Sequence, residues 1–182
     1  GRYAELAEKK AEKTEGHRKQ ELLEIAERCW RVPAEPPRNF MEALQSIWMT
    51  QVALAVACGD AAIVAPGRVD QFLFPYYQQD LQTGHISREI ALEAIQEYWI
   101  KLASFIFFGP NNITIGGVNR NNEDAVNEVS YLFLEAHKAL KGLRNGLAVR
   151  LNQQTPRDFL LKACDVHRDT AGVAFYNDEV VI

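Results

Sequence analysis

The amino-terminal half of the chain places apolar side chains at helical spacing, and prolines and glycines interrupt the pattern. Within residues 2–31 the apolar positions recur at helical intervals, which predicts an amphipathic helix with Gly16 as an interruption. The prolines between Val32 and Pro37 predict an extended connector, because proline removes the backbone donor that a helix needs. Residues 1–110 are therefore predicted to be mostly helical.

Capping residues mark the helix starts in this half. Asn39 precedes a broad apolar face and is followed three residues later by Glu42, which predicts a capping box. Ser87 predicts the start of another helix. A further helix is predicted to follow residues 66–67, and Pro75 is expected to end or kink it.

The pattern changes near Asn111, where short β-branched runs begin to alternate with helical stripes. The predicted strands are Asn112–Gly117, Gly146–Leu151 and Val173–Tyr176. One helix is predicted over residues 121–141, and another starts with Thr155 as its cap and Pro156 in its first turn. Strands that alternate with helices predict a parallel sheet with right-handed crossovers, so the fold class is α/β.

Residues 111–182 are thus predicted to form a βαβαβ segment, and the whole chain one incomplete domain. Three parallel strands cannot close a sheet, and the third would leave an unpaired edge. The chain is therefore expected to belong to a larger fold. Its first residue, Gly1 rather than methionine, favours the same expectation.

Composition narrows the class of protein. The chain has 182 residues, of which 47% are hydrophobic, and a formal net charge of −4, as is typical of a globular protein. The modest acidity argues against nucleic acid or an anionic membrane as a partner. The longest mostly apolar stretch, Ala53–Val64, is too short to span a membrane and contains Gly59 and Asp60. Without a signal-peptide pattern at its start, the chain is expected to be cytoplasmic.

The cysteines and histidines show neither a disulfide framework nor the spacing of metal ligands. Cys29, Cys58 and Cys164 are odd in number and far apart, which indicates free thiols in a reducing compartment. All three are predicted to be buried in helix packing. His137 and His167 lie on different predicted helices and are expected at the surface or at an interface. No metal site is predicted.

Four segments carry a resemblance to a known family. They are residues 33–45 (PAEPPRNFMEALQ), 66–77 (PGRVDQFLFPYY), 112–117 (NITIGG) and 175–181 (FYNDEVV). In order and approximate spacing they resemble the pyruvate formate-lyase-like domain of glycyl radical enzymes. The resemblance covers nearly the whole chain.

The resemblance implies a ten-stranded α/β barrel with the chemistry inside it. It implies an activating enzyme that uses S-adenosylmethionine and an iron–sulfur cluster to install a radical on a glycine. That radical takes a hydrogen atom from a cysteine, and the resulting thiyl radical attacks a small organic substrate and leads to bond cleavage under anaerobic conditions. An enclosed, dry barrel interior protects such intermediates. The chain is expected to bind no cofactor itself, and the complete protein is expected to be a homo-oligomer.

The chain also departs from the family pattern. None of its cysteines stands in a Gly-Cys-x-Glu motif, and no radical-glycine motif occurs. No catalytic residue is therefore assigned within the chain, and both residues are expected beyond Ile182. The stretch from Trp99 to Asn112 is shorter than in many relatives, either because this member lacks a loop or because the chain is a composite.

The function therefore keeps several alternatives. Members of the pyruvate formate-lyase, diol dehydratase, choline lyase and arylacetate decarboxylase types all fit the motifs. A non-catalytic remnant or split subunit that acts as a scaffold or interaction module fits the absence of the cysteine and the glycine. An unrelated parallel α/β domain is the third hypothesis.

The first candidate site residues are Arg68, Asp70 and Asn112. Arg68 and Asp70 lie at a helix start beside aromatic side chains, and they form either a charged pair near the active site or an ion pair that fixes the helix start. Asn112 precedes a strand, where it either points a polar group into the barrel or serves a turn.

The other candidates follow from the position of strand ends in parallel sheets, where ligands gather at the carboxyl ends. Asn177, Asp178 and Glu179 follow the last predicted strand, where a carboxylate either orients the substrate or holds the cysteine loop; the alternative is that they cap the next helix. Arg150 lies within a strand, where it either forms a salt bridge inside the sheet or binds an anionic substrate.

Overall fold

The computed structural model describes residues 1–58, 65–104, 112–143, 146–170 and 172–181. The helices in these ranges are α1 (Arg2–Ala11), α2 (Gly16–Arg31), α3 (Phe40–Cys58), α4 (Val69–Thr83), α5 (Arg88–Ser104), α6 (Glu128–Ala139), α7 (Arg157–Thr170) and α8 (Asp178–Val181). The strands are β1 (Gly67–Arg68), β2 (Ile113–Gly116), β3 (Leu147–Leu151) and β4 (Val173–Asn177). Most of the short stretch between Trp99 and Asn112 lies outside the described residues.

The first two helices form a hairpin that packs mainly through small side chains. The buried residues are Ala4, Ala7 and Ala11 of α1, and Leu22 and Ala26 of α2. Alanine lets two helix backbones approach closely, and α2 begins at Gly16, where the sequence predicts an interruption. Among the described helices, none is both long enough and apolar enough to cross a bilayer.

A buried carboxylate joins the end of α2 to the start of α3. Asn39 Oδ1 accepts a hydrogen bond of 2.8 Å from the backbone N–H of Glu42, which confirms the predicted cap. The carboxylate of Glu42 accepts from the backbone N–H of Arg38 rather than from that of Asn39. Glu42 is 1% exposed and also pairs with Arg31 and Arg38. Burial raises the pKa of Glu42, but the hydrogen bonds from Arg38 and Arg31 bring it below its usual value.

The strands form one parallel sheet in the order β1-β2-β3-β4. The register places Ile113 of β2 opposite Gly67 of β1 and opposite Leu147 of β3, and Leu147 opposite Val173 of β4. The predicted strands β2, β3 and β4 are confirmed, as is their parallel arrangement. β1 was not predicted from the sequence, and the remaining strands of a ten-stranded barrel stay a prediction.

The core lies between the first three strands and the helices that follow them. Ile113, Ile115 and Val149 are fully buried, and they belong to the same apolar cluster as Trp99 of α5 and Phe133 of α6. β4 differs, because only the first of its five residues is buried. The β4 side of the sheet is therefore uncovered in the described part of the chain.

The helix predicted over residues 121–141 begins later than expected. α6 starts at Glu128, with Asn127 as its cap. Upstream, Asn119 Oδ1 accepts hydrogen bonds from the backbone N–H groups of residues 121 and 123. These side-chain bonds hold a turn in place of a helix.

α4 continues through Pro75 to Thr83, so of the two outcomes predicted for Pro75, an end or a kink of the helix, the first is wrong. Pro75 itself is exposed, whereas Leu73 and Tyr77 on either side of it are buried. Burial of these large side chains outweighs the hydrogen bond that proline removes.

The burial predicted for the cysteines is wrong at two positions. Cys58 and Cys164 are exposed, and Cys29 has intermediate exposure. Cys58 is the last residue of α3, whose final residues lie largely at the surface despite their apolar character. Helical spacing in the sequence does not show whether the apolar last turns of a helix pack against other elements or face the solvent.

The surface position expected for His137 is also wrong, whereas His167 is exposed as expected. His137 is 4% exposed and packs edge-on against Trp99, with 5.5 Å between the ring centroids. It lies four residues after Phe133 and thus on the apolar stripe of α6, a signal that the sequence contained.

The stability of the fold should decrease in mild acid because of His137. Burial lowers the pKa of His137 below the ordinary value of 6.5. The unfolded chain therefore takes up a proton near pH 6.5, before the folded protein does, and the free energy of unfolding falls as the pH decreases below that value. Denaturant unfolding of the complete protein between pH 5 and 8 (about the range in which histidine titrates) should show this loss. A His137→Gln variant with an equally steep loss would contradict the assignment.

Candidate functional site

The charged candidates converge on one edge of the sheet. Because all four strands are parallel, Arg68, Gly116, Leu151 and Asn177, their last residues, lie at the same carboxyl edge. This is the edge where parallel α/β folds bind ligands. We refer to it as the carboxyl edge.

Asp70 is a fully buried carboxylate that joins three elements at this edge. Its Oδ2 accepts hydrogen bonds from the backbone N–H of Gly116, at 2.8 Å, and from the hydroxyl of Ser130, at 2.6 Å. Its Oδ1 accepts from the backbone N–H of Gln71. Burial raises the pKa of Asp70, and the hydrogen bonds from Ser130, Gly116 and Gln71 oppose that rise. Asp70 thus holds the start of α4 against the end of β2 and the start of α6.

Arg68 does not form the ion pair with Asp70 that was one of its two predicted roles. Its Nη1 donates a hydrogen bond of 2.7 Å to the carbonyl of Val118, and the oxygens of Asp70 accept from other groups. Nε and Nη2 of Arg68 are buried and have no hydrogen-bond partner among the described residues. Burial lowers the pKa of Arg68, and the positive charge of Arg150 lowers it further, while Asp70 acts in the opposite direction.

Gly116 and Gly117 allow the strand ends to approach each other closely. Both have positive φ, +71° and +86°. A Cβ on Gly116 would lie 2.8 Å from the carbonyl oxygen of Arg150, and one on Gly117 would lie 2.7 Å from Oδ2 of Asp178. Only glycine combines this conformation with these contacts.

Arg150 and Asp178 form the salt bridge that was one of the predicted alternatives for Arg150. Arg150 Nε lies 2.6 Å from Asp178 Oδ1. Asp178 Oδ2 accepts a hydrogen bond of 2.9 Å from the backbone N–H of Val118. Asp178 is 2% exposed. One buried carboxylate therefore connects β3 and β4 with the segment that follows β2.

A polar cavity of about 530 Å³ adjoins this salt bridge. It is lined by Val118, Asn122, Asn152, Gln153, Gln154, Asp178 and Glu179. Glu179 accepts hydrogen bonds from the backbone and the side-chain amide of Gln153. Asp124 accepts from the side chains of Asn152 and Thr155. Amide and carboxylate groups of this kind suit a small ligand that carries oxygen atoms.

The remaining candidates lie elsewhere or have local roles. Asn112 is exposed and precedes β2, at the amino edge of the sheet, so it does not join the other candidates. Asn177 Oδ1 accepts from the backbone N–H of Glu179, in keeping with the capping alternative. Ser130 and the Gly116–Gly117 pair were not among the predicted site residues, although glycines that close a predicted strand are a usable signal. Among the described residues, no group of three or more His, Cys, Asp or Glu side chains is placed to hold a metal ion.

The fold of the chain is similar to that of glycyl radical enzymes over nearly its whole length. The crystal structure of a glycyl radical enzyme from Archaeoglobus fulgidus matches 98% of this chain with a TM-score of 0.90 and 35% identity. The model of the pyruvate formate lyase-like family matches residues 1–182, and the chain belongs to that family.

Two relatives show the range of named activities. The trans-4-hydroxy-L-proline dehydratase of Clostridioides difficile and the isethionate sulfite-lyase of Nitratidesulfovibrio vulgaris are each 34% identical over 197 residues, which covers 100% of this chain. The chain spans 25% and 24% of these two proteins, and 25% of the A. fulgidus chain.

Proposed function

We propose that the complete protein is a glycyl radical enzyme that cleaves a bond in a small organic substrate under anaerobic conditions, as a dehydratase or another lyase. The observation that carries the proposal is the buried charged network at the carboxyl edge, in a chain that is similar to such enzymes over its full length. Pyruvate formate-lyase-type and arylacetate decarboxylase-type reactions also cleave a bond by radical chemistry, and the proposal includes them.

Within that enzyme, this chain contributes part of the wall of the reaction chamber. Asp70 and Asp178 are buried, and the protein itself supplies hydrogen bonds to both oxygens of each. The wall therefore stays ordered without water, as radical chemistry requires. The pairing of β1 with β2 favours one incomplete domain that includes both residues 1–110 and residues 111–182. The catalytic cysteine and the radical glycine belong to other parts of the complete protein in this proposal.

The proposal includes partners that follow from the reaction class. They are a small-molecule substrate and an activating enzyme that uses S-adenosylmethionine and an iron–sulfur cluster. We expect the complete protein to be a cytoplasmic homo-oligomer. A scaffold or split subunit remains the alternative, and the coding sequence that follows Ile182 distinguishes the two. A Gly-Cys-x-Glu motif and a later Arg-Val-x-Gly-Tyr-like loop are expected for the enzyme.

Electron paramagnetic resonance tests the proposal directly. The complete protein, incubated anaerobically with its activating enzyme, S-adenosylmethionine and a reductant, should give the doublet signal of a glycyl radical. The control is a variant in which alanine replaces the glycine of the predicted radical loop, and it should give no doublet. Absence of the signal in the unaltered protein, with an activating enzyme that is active on a relative, would rule out the radical assignment.

A further inference from the structure

We propose that the terminal nitrogens of Arg150, Nη1 and Nη2, bind an oxyanion group of the substrate, a carboxylate or a sulfonate, and that Asp178 is the residue that positions them. The inference rests on the proposed function, because it assigns the substrate class of the same site. It also makes Arg150 a substrate-binding residue in addition to its role in the sheet.

The free end of Arg150 is the first observation. Its Nε donates to Asp178, and its side chain remains 28% exposed. Within the described residues, Nη1 and Nη2 make no hydrogen bond. A guanidinium held at Nε presents its two terminal nitrogens as a planar fork, which matches the spacing of two oxygens in a carboxylate or a sulfonate.

The fixed orientation of this fork is the second observation. Asp178 is 2% exposed and is itself held by the backbone N–H of Val118. The backbone of Gly117 packs closely against the pair, since a Cβ on Gly117 would lie 3.0 Å from Nε of Arg150 and 2.7 Å from Oδ2 of Asp178. The side chain of Arg150 is therefore confined before any ligand arrives, which reduces the entropy lost on binding.

The hydrogen bonds of the neighbouring carboxylates are the third observation. Asp70 and Asp124 also lie at this edge, but three hydrogen-bond donors already bind each of them. The donors to Asp70 are Gly116, Ser130 and Gln71, and those to Asp124 are Val126, Asn152 and Thr155. Among the described residues, Asp178 is the carboxylate that pairs with Arg150, and it does so through Nε. An incoming oxyanion would therefore complete the coordination of Arg150.

Binding to the complete protein before activation tests the inference, because ligands then bind without being consumed. Isothermal titration calorimetry is done with isethionate, trans-4-hydroxy-L-proline and the neutral 1,2-propanediol. We expect the unaltered protein to bind at least one of the first two more tightly than the diol. Arg150→Gln should raise the Kd of that ligand on the order of 100-fold, because two charge-assisted hydrogen bonds are lost, and should leave the Kd of the diol unchanged.

Two further variants separate positioning from charge and from folding. Arg150→Lys keeps the positive charge beside Asp178 but not the planar fork, and we expect it to raise the Kd roughly 10-fold. Asp178→Asn as the sole substitution should also raise the Kd roughly 10-fold. Added to Arg150→Gln, it should have no further effect on the Kd. This non-additivity is expected only if Asp178 acts through Arg150.

The outcomes of this test are distinct from those for radical formation. Unchanged Kd values in folded Arg150→Gln and Arg150→Lys proteins would overturn the inference, as would tighter binding of the diol than of both oxyanion ligands. The Arg150→Lys protein should still give the glycyl radical doublet. Absence of the doublet from the unaltered protein would overturn the proposed function. The calorimetric result would then still show whether Arg150 binds an oxyanion.

Discussion

Replacement of Gly116 by alanine should lower the free energy of unfolding around the sheet by about 3 to 5 kcal/mol. Two costs add at this position. The φ of +71° lies in the left-handed region, which disfavours any side chain, and the new Cβ would lie 2.8 Å from the carbonyl oxygen of Arg150. That oxygen belongs to the backbone of β3, so it cannot move without disturbing the β2–β3 pairing.

Gly84 provides a matched control for this prediction. It ends α4 with a φ of +72°, nearly the value at Gly116, but no atom lies within 4 Å of the position its Cβ would take. Gly84→Ala should therefore cost only about 1 kcal/mol, from backbone strain. Hydrogen exchange of the amides of β2 and β3 in the complete protein measures the local free energy in both variants. Similar losses of protection in β2 and β3 for the two variants would contradict a steric role for Gly116.

The order of the elements could be predicted because local signals and tertiary packing agree over most of the chain. β2, β3 and β4 are short β-branched or apolar runs bounded by glycine or polar residues, and Asn39 and Ser87 both accept hydrogen bonds as caps. β1 could not be predicted in this way. It has only two residues, Gly67 and Arg68, and its extended conformation depends on pairing with β2 across a long stretch of chain.

The site was only partly predictable, because pairs of charges distant in sequence form only when the chain folds. The strand-end rule placed Asp178 at the carboxyl edge, and a salt bridge was one of the alternatives for Arg150. The partners of Asp70 were not predicted, since Gly116 and Ser130 lie 46 and 60 residues away along the chain. Sequence spacing can place a residue at an edge of the sheet, but it does not decide which donor a buried carboxylate meets there.

Asp70 should tolerate asparagine but not alanine. Asp70→Ala leaves the backbone N–H of Gly116 and the hydroxyl of Ser130 buried without their acceptor, which should cost roughly 3 to 5 kcal/mol. In Asp70→Asn, the amide oxygen can take the place of Oδ2 and accept from both groups. Because burial raises the pKa of Asp70, the ionised carboxylate is disfavoured in the folded protein, and the neutral amide avoids that cost.

The loss in Asp70→Asn should accordingly stay within about 1 kcal/mol, most of it from the contact between the amide group and the N–H of Gln71. The measurement is hydrogen exchange of the amides at the end of β2 and in the first turns of α4 and α6, in the complete protein. Equal loss of protection in both variants would mean that the negative charge of Asp70, rather than its hydrogen-bond geometry, holds these elements together. Arg68 immediately precedes α4, so movement of the helix start would move Arg68 as well. Asp70→Ala should therefore also break the hydrogen bond from Arg68 to the carbonyl of Val118, whereas Asp70→Asn should preserve it.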